Sequence, residues 1–127
     1  MDRRTIEALE APSASGGYSQ AVEVADVSRT LYVSGQIPIS GDGAVPSTFH
    51  DQCELVWRNL TAQLRAADMT LDNLVKVTTY LSDRRFADEN ARVRRAVLAN
   101  CSPALTVVIA GIFDPAWLLE IEAIAVA

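Results

Sequence analysis

The chain has 127 residues, half of them hydrophobic and 21% charged, with a formal net charge of -5. That length and balance suit one folded domain spanning residues 1–127 with one apolar core. The acidic balance argues against a nucleic-acid partner, because phosphate binding needs a basic surface, and no apolar run approaches the roughly 20 residues of a membrane span.

Residues 1–20 carry Pro12, Gly16 and Gly17 among small residues, which predicts a loop with at most a short strand near residues 4–8. No apolar stretch follows Met1-Asp2-Arg3-Arg4, so no signal peptide is expected and the expected location is cytoplasmic. Residues 19–24 and 30–34 read as two strands joined by a turn at 25–28. After a loop at 41–46, Ser47 or Thr48 suits a helix N-cap, and Asp51, three residues after Thr48, its first turn. Phe49, Cys53, Val56, Leu60 and Leu64 then recur at steps of three and four, one face of a helix over about 48–67. Residues 75–81 are β-branched and alternate, a strand. A second helix is expected over about 84–99. Residues 105–110 are almost wholly apolar and read as a central strand. A last strand runs over 118–126. Two helices among five or six strands predict an α+β sheet with both helices on one face. The other face then needs cover, and another subunit is the expected cover.

Cys53 and Cys101 form no CxxC pair, and His50 is the only histidine. An ordinary zinc site, with its three or four ligands, is not expected, and no metal is assigned. His50 falls at the start of a helix pattern, which favours an exposed first-turn histidine over a triad member.

The chemistry-bearing candidates stand in short runs. Glu120 and Glu122 are two apart in an apolar strand, so both lie on one face with Ile124. A carboxylate in that setting is at an edge, paired, or suited to proton transfer. Tyr18 follows two glycines, where backbone can approach a ligand closely. Ser34-Gly35-Gln36 ends a strand. Asn90 lies on the inward side of the second helix and, once buried, must find partners.

Together, Gly17-Tyr18-Ser19-Gln20, Val33 to Pro38, Leu71 to Thr78, Pro103-Ala104 and Glu120 to Ala125 resemble the RidA family, also called YjgF-like or the L-PSP endoribonuclease family. The resemblance runs from about Thr5 to Ala127. It implies a chorismate-mutase-like fold, one six-stranded mixed sheet with two helices on one face, assembled as a homotrimeric barrel with a small-molecule site at each subunit interface. It implies hydrolysis of reactive imines and enamines to 2-keto acids and ammonia, without metal or cofactor. Glu120 would position the attacking water, and Tyr18, Ser34, Gly35 and Asn90 would line the site. One departure stands out. The family's arginine, which pairs with the substrate carboxylate, is matched here by Leu105. An arginine fork binds a carboxylate by two charge-assisted hydrogen bonds; leucine offers none. The expected reading is therefore an arginine-lacking hydrolytic deaminase of a small imine, enamine or related metabolite, with Leu105 as an apolar wall. The alternative is a non-catalytic metabolite-binding or regulatory trimer. A ribonuclease is disfavoured by the acidic chain and single histidine.

Overall fold

The computed structural model describes all 127 residues. Six strands and two α-helices follow one another as β1 (Asp2–Ile6), β2 (Ala21–Ala25), β3 (Thr30–Gln36), α1 (Phe49–Ala66), β4 (Leu74–Leu81), α2 (Ala87–Leu98), β5 (Ala104–Ile109) and β6 (Leu119–Val126). Thr48 caps α1, its hydroxyl accepting from the Asp51 amide at 3.2 Å. The stripe expected from the sequence is the buried one, and Gln52, Leu55 and Trp57 widen it.

The strands form two sheets, not one. β1 and β2 make an antiparallel ribbon, and the other four lie in the order β3-β6-β4-β5. The sequence joined β2 and β3 as neighbours; in the structure they do not pair. The β3/β6 ladder continues to the last residue, where the Ser28 and Arg29 amides both donate to the Ala127 carbonyl at 2.9 Å. The chain reaches β3 through Asp26, whose φ of 55° lies in the left-handed region that aspartate tolerates. The ribbon therefore turns away from β3.

The run read as a central strand is also corrected: β5 is an edge strand. Its Thr106 to Ile109 are exposed, with Val107 at 41% and Ile109 at 40%. An all-apolar run signals burial on both faces, but within one chain nothing supplies it.

Alternation assigns the two sheet faces. Leu119, Ile121, Ala123 and Ala125 of β6 are buried beneath the helices, in one cluster with Val77 and Leu81 of β4 and Val56, Leu60 and Leu64 of α1. A bulge between Leu74 and Lys76 lets Leu74 and Val77, three apart, both face that core. Glu120, Glu122, Thr78, Tyr80, Tyr32 and Ser34 occupy the opposite, helix-free face, with Glu122, Tyr32 and Ser34 exposed.

Candidate functional site

Glu120, the second residue of β6, lies on the helix-free face, opposite the end of β3. A β-carbon built on Gly35 would lie 2.6 Å from Glu120 Cδ and 2.8 Å from its Cγ. Real Cβ contacts do not come that close, so the carboxylate occupies space that only glycine leaves open. Glycine at 35 lets the Glu120 carboxylate rest where it does, a larger residue would make that side chain move, and Ser34 is the next residue along β3.

The two glutamates of β6 are not equivalent. Glu122 accepts a hydrogen bond from the Tyr80 phenol at 2.6 Å. That carboxylate bond is the main reason the Tyr80 phenol titrates above its ordinary value; Glu120 and Glu122 add repulsion in the same direction. Glu122 is thus engaged. Glu120 belongs to none of the chain's ion pairs, which join Arg4 to Glu23 and His50 to Glu54 and Glu89. The helix-free face also holds a cavity of about 430 Å³ whose walls include Tyr32, Ser34, Lys76, Thr78, Glu122 and Ile124. Glu120 and Gly35 are not among its walls, so this hollow is not the place where the unengaged carboxylate stands. Glu120 has the better claim to chemistry, because an unengaged carboxylate, not volume, is what proton transfer requires.

Two side-chain amides, Gln52 buried and Asn59 half-buried, hold this end of the molecule. Gln52 on α1 donates to the Pro46 and Ala116 carbonyls at 2.9 and 3.0 Å and accepts from the Leu118 amide at 2.8 Å. It therefore ties the start of β6, and so Glu120, to α1. Asn59 donates to the Ile37 and Ile39 carbonyls, both at 3.0 Å, and fixes the segment after Gly35. Sequence reasoning missed both. An amide inside or beside an apolar helical stripe was the available signal, since such a group has to be satisfied when buried.

The remaining candidates lie elsewhere. Leu105 pairs in register with Val77, and Val77 with Ala123. It therefore shares the helix face with Ala123, and packs against the core there. Glu120 is three residues from Ala123 and faces the other way. Leu105 and Glu120 of one chain are on opposite faces of the sheet, and no cleft joins them. Ser19 follows Tyr18 and is clamped to the start of β5: its amide donates to the Pro103 carbonyl at 3.0 Å and its hydroxyl to the Ser102 carbonyl at 2.6 Å. Ala104 there is level with Lys76 and Ile124, four residues from Glu120. Ser19, which bridges Ala104 from the far side of β5, is consequently three strands over and about 13 Å along the strand direction from Glu120, at roughly 3.3 Å per residue, and Tyr18 lies beside it. Asn90 is buried between the helices, where its Oδ1 lies 3.9 Å from Cys53 Sγ. The six candidates fall into two groups, Ser34, Gly35 and Glu120 on the open face and Tyr18, Asn90 and Leu105 on the helix side.

His50 is exposed, with Nε2 3.3 Å from Glu54 Oε1, one turn on. Both cysteines are free thiols. No helix is long and apolar enough to cross a membrane.

Comparison with known proteins decides the family. The endoribonuclease L-PSP family model matches residues 8–127. The chain belongs to the RidA/YjgF family. Among its relatives, the mouse 2-iminobutanoate/2-iminopropanoate deaminase is 34% identical over 127 residues, covering 98% of this chain and 91% of the relative. A RutC family protein of Pyrococcus horikoshii is 34% identical over 125 residues, 97% of each chain. Solved Rid structures superpose over the full length: a Rid family protein of Yersinia pestis at TM-score 0.86, with 28% identity and 100% of both chains covered, and RidA of a Psychrobacter species at TM-score 0.74, with 32% identity and 98% and 99% covered. The α+β architecture with two helices is thus the Rid fold.

Proposed function

We propose that this chain hydrolyses a small imine or enamine to the corresponding carbonyl compound and ammonia, at a site completed between the subunits of a homotrimer. The observation that carries the reading is the unengaged Glu120 carboxylate seated over Gly35 beside Ser34. Relatives bearing the name 2-iminobutanoate/2-iminopropanoate deaminase support the reaction class. The assembly is supported by the division of the candidate residues between two sheet faces and by the exposed apolar edge at Val107, Val108 and Ile109. A closed ring brings one subunit's open face to another's edge.

In this reading Glu120 takes a proton from a water that adds to the imine carbon. A C–O bond forms and the C=N pair moves to nitrogen, which is protonated. The resulting carbinolamine then loses ammonia as its C–N bond breaks and its hydroxyl gives up a proton. One water is consumed and nothing is oxidised or reduced. An enamine enters the same route after taking a proton at carbon.

The test is ammonia release from 2-aminoacrylate generated in place by a serine-consuming enzyme. Glu120→Gln should slow the protein-dependent rate by about 100- to 10,000-fold, the usual share of a general acid–base group. A wild type that adds nothing to the spontaneous rate would leave the binding trimer as the function.

A further inference from the structure

Arg94 lies on α2 one turn beyond Asn90 and is 5% exposed. Three buried polar side-chain atoms lack a hydrogen-bond partner: Trp57 Nε1, Thr79 Oγ1 and Arg94 Nε. Only the last belongs to a charged group. The chain's ion pairs lie elsewhere, so no carboxylate compensates it. Its charged or titratable neighbours are Arg95 and Tyr18. Burial pushes the guanidinium below its ordinary pKa, Arg95 acts in the same direction, and Tyr18 opposes both. Buried charges are ordinarily paired, because an unpaired one is strongly destabilising. Here the Nε is buried without a partner, while the terminal nitrogens, which make no hydrogen bond within the chain, reach the surface.

Its surroundings are built rather than incidental. The guanidinium carbon is 6.0 Å from the centre of the Tyr18 ring. The loop that carries Tyr18 bends through Gly16 and Gly17, at φ 109° and 74°. A β-carbon on Gly17 would lie 3.2 Å from Arg95 Cγ, so the loop rests tightly on α2. The two Ser19 hydrogen bonds then fasten it to the start of β5. Tyr18 is thereby held near Arg94, and the Ser15 hydroxyl lies 3.5 Å from the phenol.

We propose that Arg94, with Tyr18 beside it, is an anion-binding handle that takes the carboxylate of a 2-oxo or 2-imino acid, from α2 rather than from position 105 on β5. The choice of acid rests on the deaminase reading; the anion site rests on the orphaned guanidinium. An arginine holds such a carboxylate through its planar fork, which lysine does not reproduce. Leu105 then does not remove carboxylate substrates from the repertoire of this chain.

The test titrates the assembled protein calorimetrically with pyruvate and with its uncharged analogue pyruvamide. Wild type should bind pyruvate and not pyruvamide. Arg94→Met should weaken pyruvate by about 10- to 100-fold, the worth of charge-assisted hydrogen bonds to a buried cation, and Arg94→Lys should fall between. Arg94→Met should also melt at or above the wild-type temperature, since it removes a buried Nε that has no partner and keeps the volume. The proposal is overturned if wild type ignores pyruvate, if pyruvamide binds as well, or if Arg94→Met binds pyruvate unchanged. It is also overturned if Arg94→Met breaks the assembly in light scattering, which would give the guanidinium to a neighbouring subunit. Pyruvate binding that depends on Arg94, together with ammonia release indifferent to Glu120→Gln, would sink the deaminase and leave the anion site standing.

Discussion

In the proposed reaction the two sides of the sheet would carry opposite halves of one chemistry. The open face holds carboxylates, Glu120 over Gly35 and Glu122 under the Tyr80 phenol, on a surface that water reaches. The helix side holds the cation Arg94, its Nε buried without a partner and an aromatic ring beside it. Neither half suffices: a carboxylate that activates water needs a substrate held in place, and a handle without a base binds and does nothing. Within one chain the sheet itself stands between them, since Glu120 faces away from the helices and Arg94 lies on α2. A closed oligomer is the simplest way to reunite the halves, with each subunit lending its open face to one neighbour and its edge to the other.

Gly35→Ala strikes the open half hardest. The added methyl would overlap the Glu120 carboxylate, and the strand is pinned by Gln36 and the Asn59 contacts, so the glutamate has to move. A displacement of about 1 Å can cost about 100-fold in rate. Ammonia release should fall by that order while pyruvate binding, which belongs to the other half, stays near wild type. Equal loss of both would mean that the halves are not separable.

Mixing tests the division directly. Arg94→Met and Glu120→Gln subunits, co-refolded in equal amounts, should regain about one quarter of the wild-type activity, because in a closed ring a quarter of random neighbours pair two intact halves. If both groups of one site came from one chain, no mixture would exceed the two variants alone.

The sequence foretold the halves better than their separation. The buried stripe of α1, the alternation of β6 and the capping at Thr48 are local patterns that burial enforces, and each is present as read. What failed depended on neighbours. The apolar run of β5 looked central because apolar runs are buried somewhere, but one chain cannot reveal that the cover lies outside it. β2 and β3 looked like a hairpin because four residues link them, whereas the C-terminal residue occupies the backbone groups at that turn. Leu105 was assigned to the Glu120 wall, yet only the β4 register shows that it faces away. Arg94 is one arginine among three on α2, and nothing in the order Arg92, Val93, Arg94, Arg95 announces which one is buried.

The smallest expected effect probes how dry the helix side is. Burial pushes the Cys53 thiol up to about 12, with Glu89 and Glu54 adding to it, and the Cys101 thiol up to about 11, where burial is joined by the hydrogen bond its Sγ donates to Asp72 at 3.1 Å. A raised thiol pKa keeps the proton on in the native state. In the unfolded chain the proton leaves from about pH 8.5 upward, so the unfolded state then binds fewer protons and stability falls as pH rises from there towards the native values. Thiolate is also the reactive form. Alkylation by iodoacetamide should therefore be slow at pH 8 in the native protein and fast in denaturant, with Cys101, the less buried of the two, labelled first. Rapid native labelling of Cys53 would mean that water reaches the gap between α1 and α2. Asn90 would then belong to a wet cleft, and Arg94, one turn away, would have water to satisfy it in place of a ligand.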